Sequence, residues 1–381
     1  MPGIAQDLDR FETPVGVVDV ARARANAERA AQYCSLHGLR WRPHVKTHKS
    51  VDVARIQIEA GAAGLTVATP REAEVMSRVT DDILLAYPPL GASKVDRLMA
   101  LPSSVRLLVG LDSEVAMAPL AEAAAERGRT VGILVEIDAG LGRVGLTRPE
   151  ETIALAESAV RLPGVEYRGV MFYPGHLRES MDEQADGIAA LGDRLATFIE
   201  ALDRAGVPPE VVSGGSTPTL WQTHLIGGVT EVRPGTCIYN DRDILQMGAC
   251  GEGDLAYSVL ATVVSNAVPG QAVVDAGSKA LAKEPFRSGG FGMLLDRPSV
   301  LMRALSEEHG VLDLSTTDWR PDVGDRVRIV PNHVCVSVNL QDHVVALTGG
   351  GAETWPLDAR GRRRYDSGSD AATHTQRIQA T

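Results

Sequence analysis

From Thr13 to about Tyr239 the chain repeats one rhythm: a short apolar or β-branched run, turn residues, then a stretch with apolar residues three and four apart. Strands that alternate with helices imply βαβ units and a parallel sheet, because consecutive parallel strands need a crossover between them. The strand candidates span 39–45, 65–68, 83–87, 105–110, 131–138, 168–173, 210–214 and 230–233. Helical periodicity runs over 51–60, 70–79, 113–127, 149–161 and 181–205. Eight strands in about 225 residues suit a closed (β/α)8 TIM barrel of the α/β class better than an open doubly wound sheet. An earlier run, 14–20, reads as a strand leading into the first helix.

After about Leu245 the rhythm changes. Runs at 254–266, 271–275, 324–330, 335–340 and 343–347 read as strands separated by Gly, Pro and Asn. The expected organisation is a barrel over 13–243 and a β-rich domain over 244–358, joined by residues 1–12. A polar tail follows over 359–381, where patterning disappears.

Composition enters as exclusion. Net charge is −11, from 38 Lys and Arg against 49 Asp and Glu, so phosphate neutralisation along a nucleic acid is not expected. No apolar run approaches the roughly 20 residues that span a bilayer, and the first residues lack a basic segment followed by an apolar one. Cys34, Cys237, Cys250 and Cys335 show no framework spacing and read as reduced thiols of a cytoplasmic protein.

A barrel enzyme collects its site at the C-terminal ends of its strands. Reading only those positions gives Arg42–Lys49 after the first strand, Asp138–Gly145 after the fifth and Tyr173–His176 after the sixth. Ser213–Thr217 follows the seventh and Arg233–Tyr239 the eighth. The last two loops are where barrels often bind phosphate, and Ser-Gly-Gly-Ser-Thr supplies hydroxyls and closely spaced N–H groups before a helix start. Lys46 closes a strand and faces the mouth, where a lysine can form a Schiff base with a carbonyl. The plainer alternatives are a tight turn at Ser213–Thr217 and a surface lysine beside Lys49.

The barrel portion resembles the fold-type III pyridoxal-phosphate enzymes, the alanine racemase-like group. Within it, Pro43-His44-Val45-Lys46-Thr47-His48-Lys49 resembles the Pro-His-x-Lys-Thr-His-Lys signature of the D-threonine aldolase and D-serine dehydratase branch. Supporting motifs are Glu72-Ala73-Glu74, Asp138 through Gly145, Ser213 through Thr217, Ser306 through Gly310 and Pro331 through Cys335. The resemblance implies pyridoxal 5′-phosphate held by Lys46, which would also act as a base. Ser213, Gly214, Gly215, Ser216 and Thr217, with Gly235 and Thr236, would cradle the phosphate. Arg143 would face the phenolic oxygen, Tyr173 would pack on the cofactor, and Tyr239 would close its phosphate side. Arg233 would bond the pyridine nitrogen; a guanidinium accepts no proton, so that nitrogen stays unprotonated and the ring is a weaker electron sink.

A weaker sink favours help from a metal. His333 and Cys335 match the branch's divalent-metal ligands, and on a strand two residues apart face the same side. Imidazole with thiolate suits zinc, whereas manganese prefers harder oxygen ligands. The implied activity is a lyase on small D-3-hydroxy amino acids, foremost retro-aldol cleavage to glycine and an aldehyde. The alternative is dehydration of D-serine or D-3-hydroxyaspartate to a keto acid and ammonia, toward which Cys335 leans. A racemase would need a second base where the metal pair stands. His176 is the candidate hydroxyl base, and a homodimer is implied by the resemblance.

Overall fold

The computed structural model describes residues 8–284 and 289–362. The first strand, β1 (Val15–Asp19), does lead into a helix, Val20–Leu36, whose start is capped by the Asp19 carboxylate. Its pairing is with the C-terminal sheet, however, not with the barrel.

The barrel strands are β2 (Arg40–Trp41), β3 (Leu65–Val67), β4 (Asp82–Leu85) and β5 (Arg106–Leu111). After them come β6 (Val131–Glu136), β7 (Val165–Met171), β8 (Val211–Gly214) and β9 (Glu231–Val232). All pair in parallel, in the order β2-β9-β8-β7-β6-β5-β4-β3. The two ends meet through a parallel bridge between His44 and Thr66, where the Thr66 N–H donates to the Pro43 carbonyl at 2.9 Å. All six residues of β6 are buried, as expected for a strand covered by helices outside and side chains inside. Between strands, the helices Val51–Glu59 and Pro70–Met76 start at Ser50 and Thr69, whose hydroxyls accept from the Asp52 and Glu72 N–H groups. The eight-stranded α/β reading therefore holds. The run at 39–45 yields only two strand residues, because Val45–Thr47 tightens into a 3-10 turn that lifts Lys46 onto the mouth.

The C-terminal domain contains β10 (Tyr257–Ser265), β11 (Gln271–Val274), β12 (Gly292–Leu294), β13 (Met302–Leu305) and β14 (Gly310–Asp313). Then follow β15 (Arg326–Pro331), β16 (His343–Thr348) and β17 (Gly351–Pro356). β1 inserts between β10, antiparallel, and β16, parallel, so the chain's first strand seals this sheet. One expected strand is corrected: residues 335–340 belong to a helix, Val334–Leu340. Its alternating valines mimic strand patterning, but the buried positions are Val334, Ser337 and Val338, which is helical spacing. Leu357 and Ala359 are buried, and the Ala359 N–H donates to the Lys49 carbonyl at 3.0 Å, so the expected tail begins packed against the barrel. Its remainder, 363–381, and residues 1–7 lie outside the described residues. Among the described residues no helix is long and apolar enough to cross a membrane.

Candidate active site

A cleft of about 350 Å³ lies at the C-terminal ends of the barrel strands. Its wall includes Lys46, Arg143, Tyr173, Gly215, Ser216, Thr217, Arg233, Gly235, Thr236 and His333. The expected mouth loops thus converge with residues of the C-terminal domain, among them Asn332 and His333.

Lys46 is held by its turn. The His44 imidazole caps it by accepting from the Lys46 N–H at 3.4 Å, and Lys49 reaches Glu72 at 2.5 Å, with Glu72 fully buried. A Cβ on Gly235 would stand 2.3 Å from the His44 carbonyl oxygen, so only glycine lets the last barrel loop press against the Lys46 loop. The Lys46 ammonium lies 5.6 Å from the centre of the Tyr173 ring and the Arg143 guanidinium 5.1 Å from it. Arg143 owes its place to the loop after β6. Asp138 gathers the Gly140 and Gly142 N–H groups, and Gly145 (φ +101°) approaches the Ile137 backbone where a Cβ would stand 2.5 Å away.

Arg233 is buried and donates to Ser213 Oγ at 2.7 Å and to the Phe172 carbonyl at 2.8 Å. Ser213 in turn donates to Glu231 at 2.8 Å. Its hydroxyl is thereby spent on Glu231 and Arg233, one layer behind the wall, which corrects its expected place in the cradle. Gly214 is set back as well, packed so closely on Phe172 that a Cβ would stand 2.1 Å from the ring. The cradle that faces the cleft is Gly215, Ser216 and Thr217 opposite Gly235 and Thr236, with Gly215 at φ +82°.

A further expectation is corrected. Tyr239 does not border the cleft: it is fully buried, stacked on Tyr257 at 5.7 Å, and its hydroxyl has no hydrogen-bond partner among the described residues. His176 is exposed and rests over Gly140, between Gly175 and Leu177, which line the cleft.

The His333–Cys335 pair does form, for a different reason from strand alternation. His333 ends the turn after β15 as the N-cap of the Val334–Leu340 helix, and Cys335 lies in the first turn of that helix. Thr47 Oγ1 lies 3.3 Å from Cys335 Sγ and Thr236 Oγ1 3.7 Å from it, which sets the thiol beside the neighbour of Lys46. Burial opposes charge on both groups. Their mutual attraction outweighs it, raising the imidazole with help from Asp241 and lowering the thiol. Thiolate is the form that binds zinc, so this donor pair suits a soft divalent ion. Among the described residues no group of three or more His, Cys, Asp or Glu completes a cage. A catalytic metal needs open positions for water and substrate.

Some site residues escaped the sequence reading. Glu136 is buried at the end of β6 and lines the cleft; burial raises its carboxyl, while Arg233 and Arg143 pull it back. The signal was a lone acid in an otherwise apolar run. Arg178, paired with Asp243, and Asn332 also line the cleft.

His48 is structural. It is buried, accepts from the Ser50 N–H at Nδ1 (3.2 Å) and therefore donates from Nε2 to Gln57 Oε1 (3.1 Å). Burial depresses it to about 3. Between about pH 6.5 and 3 the unfolded chain binds a proton that folded His48 refuses, so this group lowers stability as pH falls. The slope is roughly 1 kcal/mol per pH unit. Denaturation midpoints measured from pH 7 to 4 check this: His48→Gln is expected to flatten the slope, and an unchanged slope counts against it.

A lysine and two arginines around a ring-sized slot, closed by a small-residue cradle on a racemase-like barrel, define the class: a fold-type III pyridoxal-phosphate enzyme. The alanine racemase N-terminal domain family matches residues 18–243 and the serine dehydratase domain matches 256–347. The chain belongs to this family, in its D-threonine aldolase and D-serine dehydratase branch, and is a lyase. It is 33% identical over 376 residues to 3-hydroxy-D-aspartate aldolase of Paracoccus denitrificans, covering 95% of each chain. The crystal structure of D-threonine aldolase from Filomicrobium marinum superposes with a TM-score of 0.84 at 31% identity, covering 92% of this chain and 96% of that one. A metal-free cysteine-to-alanine mutant of D-threo-3-hydroxyaspartate dehydratase superposes with a TM-score of 0.81 at 32% identity, covering 94% and 99%.

Proposed function

We propose that this enzyme cleaves small D-3-hydroxy amino acids by a retro-aldol reaction, giving glycine and an aldehyde, with pyridoxal 5′-phosphate and a divalent metal. The observation that carries this reading is the juxtaposition of two half-sites. Cys335 of the C-terminal domain lies 3.3 Å from Thr47, the neighbour of Lys46, and His333 lines the same cleft. An amino acid bound beside Lys46 would therefore present its β-hydroxyl to the His333–Cys335 side.

Pyridoxal phosphate, when bound, supplies the sink for the electron pair left at Cα. Lys46 Nζ would hold it and would afterwards deliver the proton to Cα. Gly215, Ser216, Thr217, Gly235 and Thr236 fit its phosphate, Arg143 its phenolic oxygen, Tyr173 one face, and Arg233 the ring nitrogen. His333 and Cys335 would hold zinc in preference to manganese, and such an ion acidifies a hydroxyl bound to it. Arg178 and Asp243, paired at the rim, border the substrate's entry. We further assign the protein to the cytoplasm as a homodimer. The four cysteines, all free, support the compartment, and the family resemblance supports the dimer.

A specific observation favours dehydration as the second reading: the soft donor Cys335, in a chain similar to D-threo-3-hydroxyaspartate dehydratase, whose cysteine-to-alanine mutant has been solved in a metal-free form. In that reaction Lys46 would take the α-proton and the metal would assist departure of hydroxide.

A product assay with D-threonine and D-serine, with and without chelator, decides. Glycine plus acetaldehyde, lost on chelation and restored by zinc, is the expected outcome. Keto acid plus ammonia would transfer the assignment to the dehydratase, and chelator-resistant turnover would remove His333 and Cys335 from metal binding.

A further inference from the structure

We propose that Asp241, in the last barrel loop, is the positioning residue of the metal half-site: it holds His333 Nδ1 so that Nε2 is the nitrogen offered to the ion. This rests on the metal reading of His333 and Cys335 above.

Asp241 is fully buried, and both of its oxygens are committed. Oδ1 accepts from the Ile244 N–H at 2.9 Å, capping the short helix Arg242–Gln246. Oδ2 accepts from the Val334 N–H at 3.0 Å and faces His333 Nδ1 at 3.1 Å. A carboxylate has only acceptor sites, so the proton of a neutral imidazole sits on Nδ1 and the lone pair is left on Nε2. A ligating histidine is commonly oriented by a partner of this kind, which fixes the tautomer and the ring plane.

The hold extends beyond one contact. Thr236 approaches Cys335 Sγ, Asp241 grips His333 and Val334, and the Asp243 N–H donates to the Asn332 carbonyl at 3.2 Å. Arg242 donates to the Asn332 side chain at 3.1 Å. Residues 236–243 of the barrel thus clamp residues 332–335 of the C-terminal domain. Asn240 enters the clamp at φ +54°, a left-handed conformation that asparagine tolerates better than most residues. It is pinned there by bonds from its N–H to the Thr236 carbonyl and from its side chain to the Asp254 carbonyl. The loop that cradles the cofactor's phosphate thereby also sets the direction of the metal ligand.

Asp241→Asn tests this with almost no change of shape. Its single side-chain oxygen can serve the Ile244 N–H or the Val334 and His333 donors, but not both, and its NH2 opposite Nδ1 would favour the Nε2–H tautomer. Zinc affinity of the full-length, cofactor-loaded protein is read by competition with a fluorescent zinc chelator. The expected loss is about 10- to 100-fold, in a variant that still unfolds cooperatively, at a lower thermal midpoint, before zinc is added. Unchanged zinc affinity in Asp241→Asn overturns the proposal. Should that variant fail to fold, nitrogen-15 NMR of the wild-type imidazoles decides, with the His333 signal identified by its disappearance in His333→Ala. Read in the zinc-loaded protein, a proton on Nδ1 with Nε2 metal-bound upholds the proposal, and a proton on Nε2 overturns it. If the wild type does not compete for zinc at all, the metal reading itself fails, a result distinct from equal competition by both proteins.

Discussion

Replacing Lys46 by alanine is expected to lower lyase turnover by roughly 10³-fold or more, because in the proposed reaction one group both attaches the cofactor and moves the Cα proton. Among the described residues no other lysine lines the cleft. Lys49 is turned away and paired with the buried Glu72, and Arg143 and Arg233 are guanidinium groups that cannot act as bases. Since Lys46 is exposed to the cleft, the variant should keep its thermal midpoint, as surface substitutions usually change stability by no more than about 0.5 kcal/mol. Borohydride reduction of the loaded wild type, followed by peptide mapping, should place the pyridoxyl mass on Lys46. Mass on Lys49, or more than a tenth of wild-type turnover in Lys46→Ala, would remove Lys46 from this role.

The second large effect is on stability. Glu231→Ala is expected to destabilise the protein by about 3–5 kcal/mol, the usual cost of stranding one partner of a buried ion pair. Arg42 and Glu231 are each 1% exposed, with Arg42 Nε 2.8 Å from Glu231, while Asp82 takes the other side of the guanidinium. Glu231 also accepts from Ser213, the hydroxyl that receives Arg233. Stability and the alignment of Arg233 should therefore fall together, and Glu231→Gln, which keeps the Ser213 bond, should retain more turnover than Glu231→Ala. Urea midpoints and kcat, measured side by side, check both statements. A loss below about 1 kcal/mol in Glu231→Ala would show that Asp82 alone satisfies Arg42.

Much of this site was legible along the chain because barrel topology turns sequence order into spatial order. Lys46, Arg143, Tyr173, the Gly215–Thr217 turn and Arg233 all lie in segments that follow barrel strands, and all face one cleft. The failures share a cause. Ser213, Gly214 and Tyr239 lie next to cleft residues in sequence, but one position along a strand or turn exchanges a lining side chain for a packed one. The His333–Cys335 pair was foreseen on a strand, yet a helix start assembles it, since β-branched alternation does not distinguish the two when tertiary packing sets the buried face.

The sequence by itself determined the parallel barrel, the β-rich second domain, the family motif at Lys46 and the chemistry of a nitrogen–sulfur donor pair. Each of these is a property of local pattern or of side-chain type. Tertiary structure alone decided that β1 belongs to the C-terminal sheet, that Glu231 and Ser213 stand behind Arg233, and that Asp241 grips His333 from 92 positions away. Such pairings depend on which surfaces meet when two domains close on one another, and no periodicity along the chain records that.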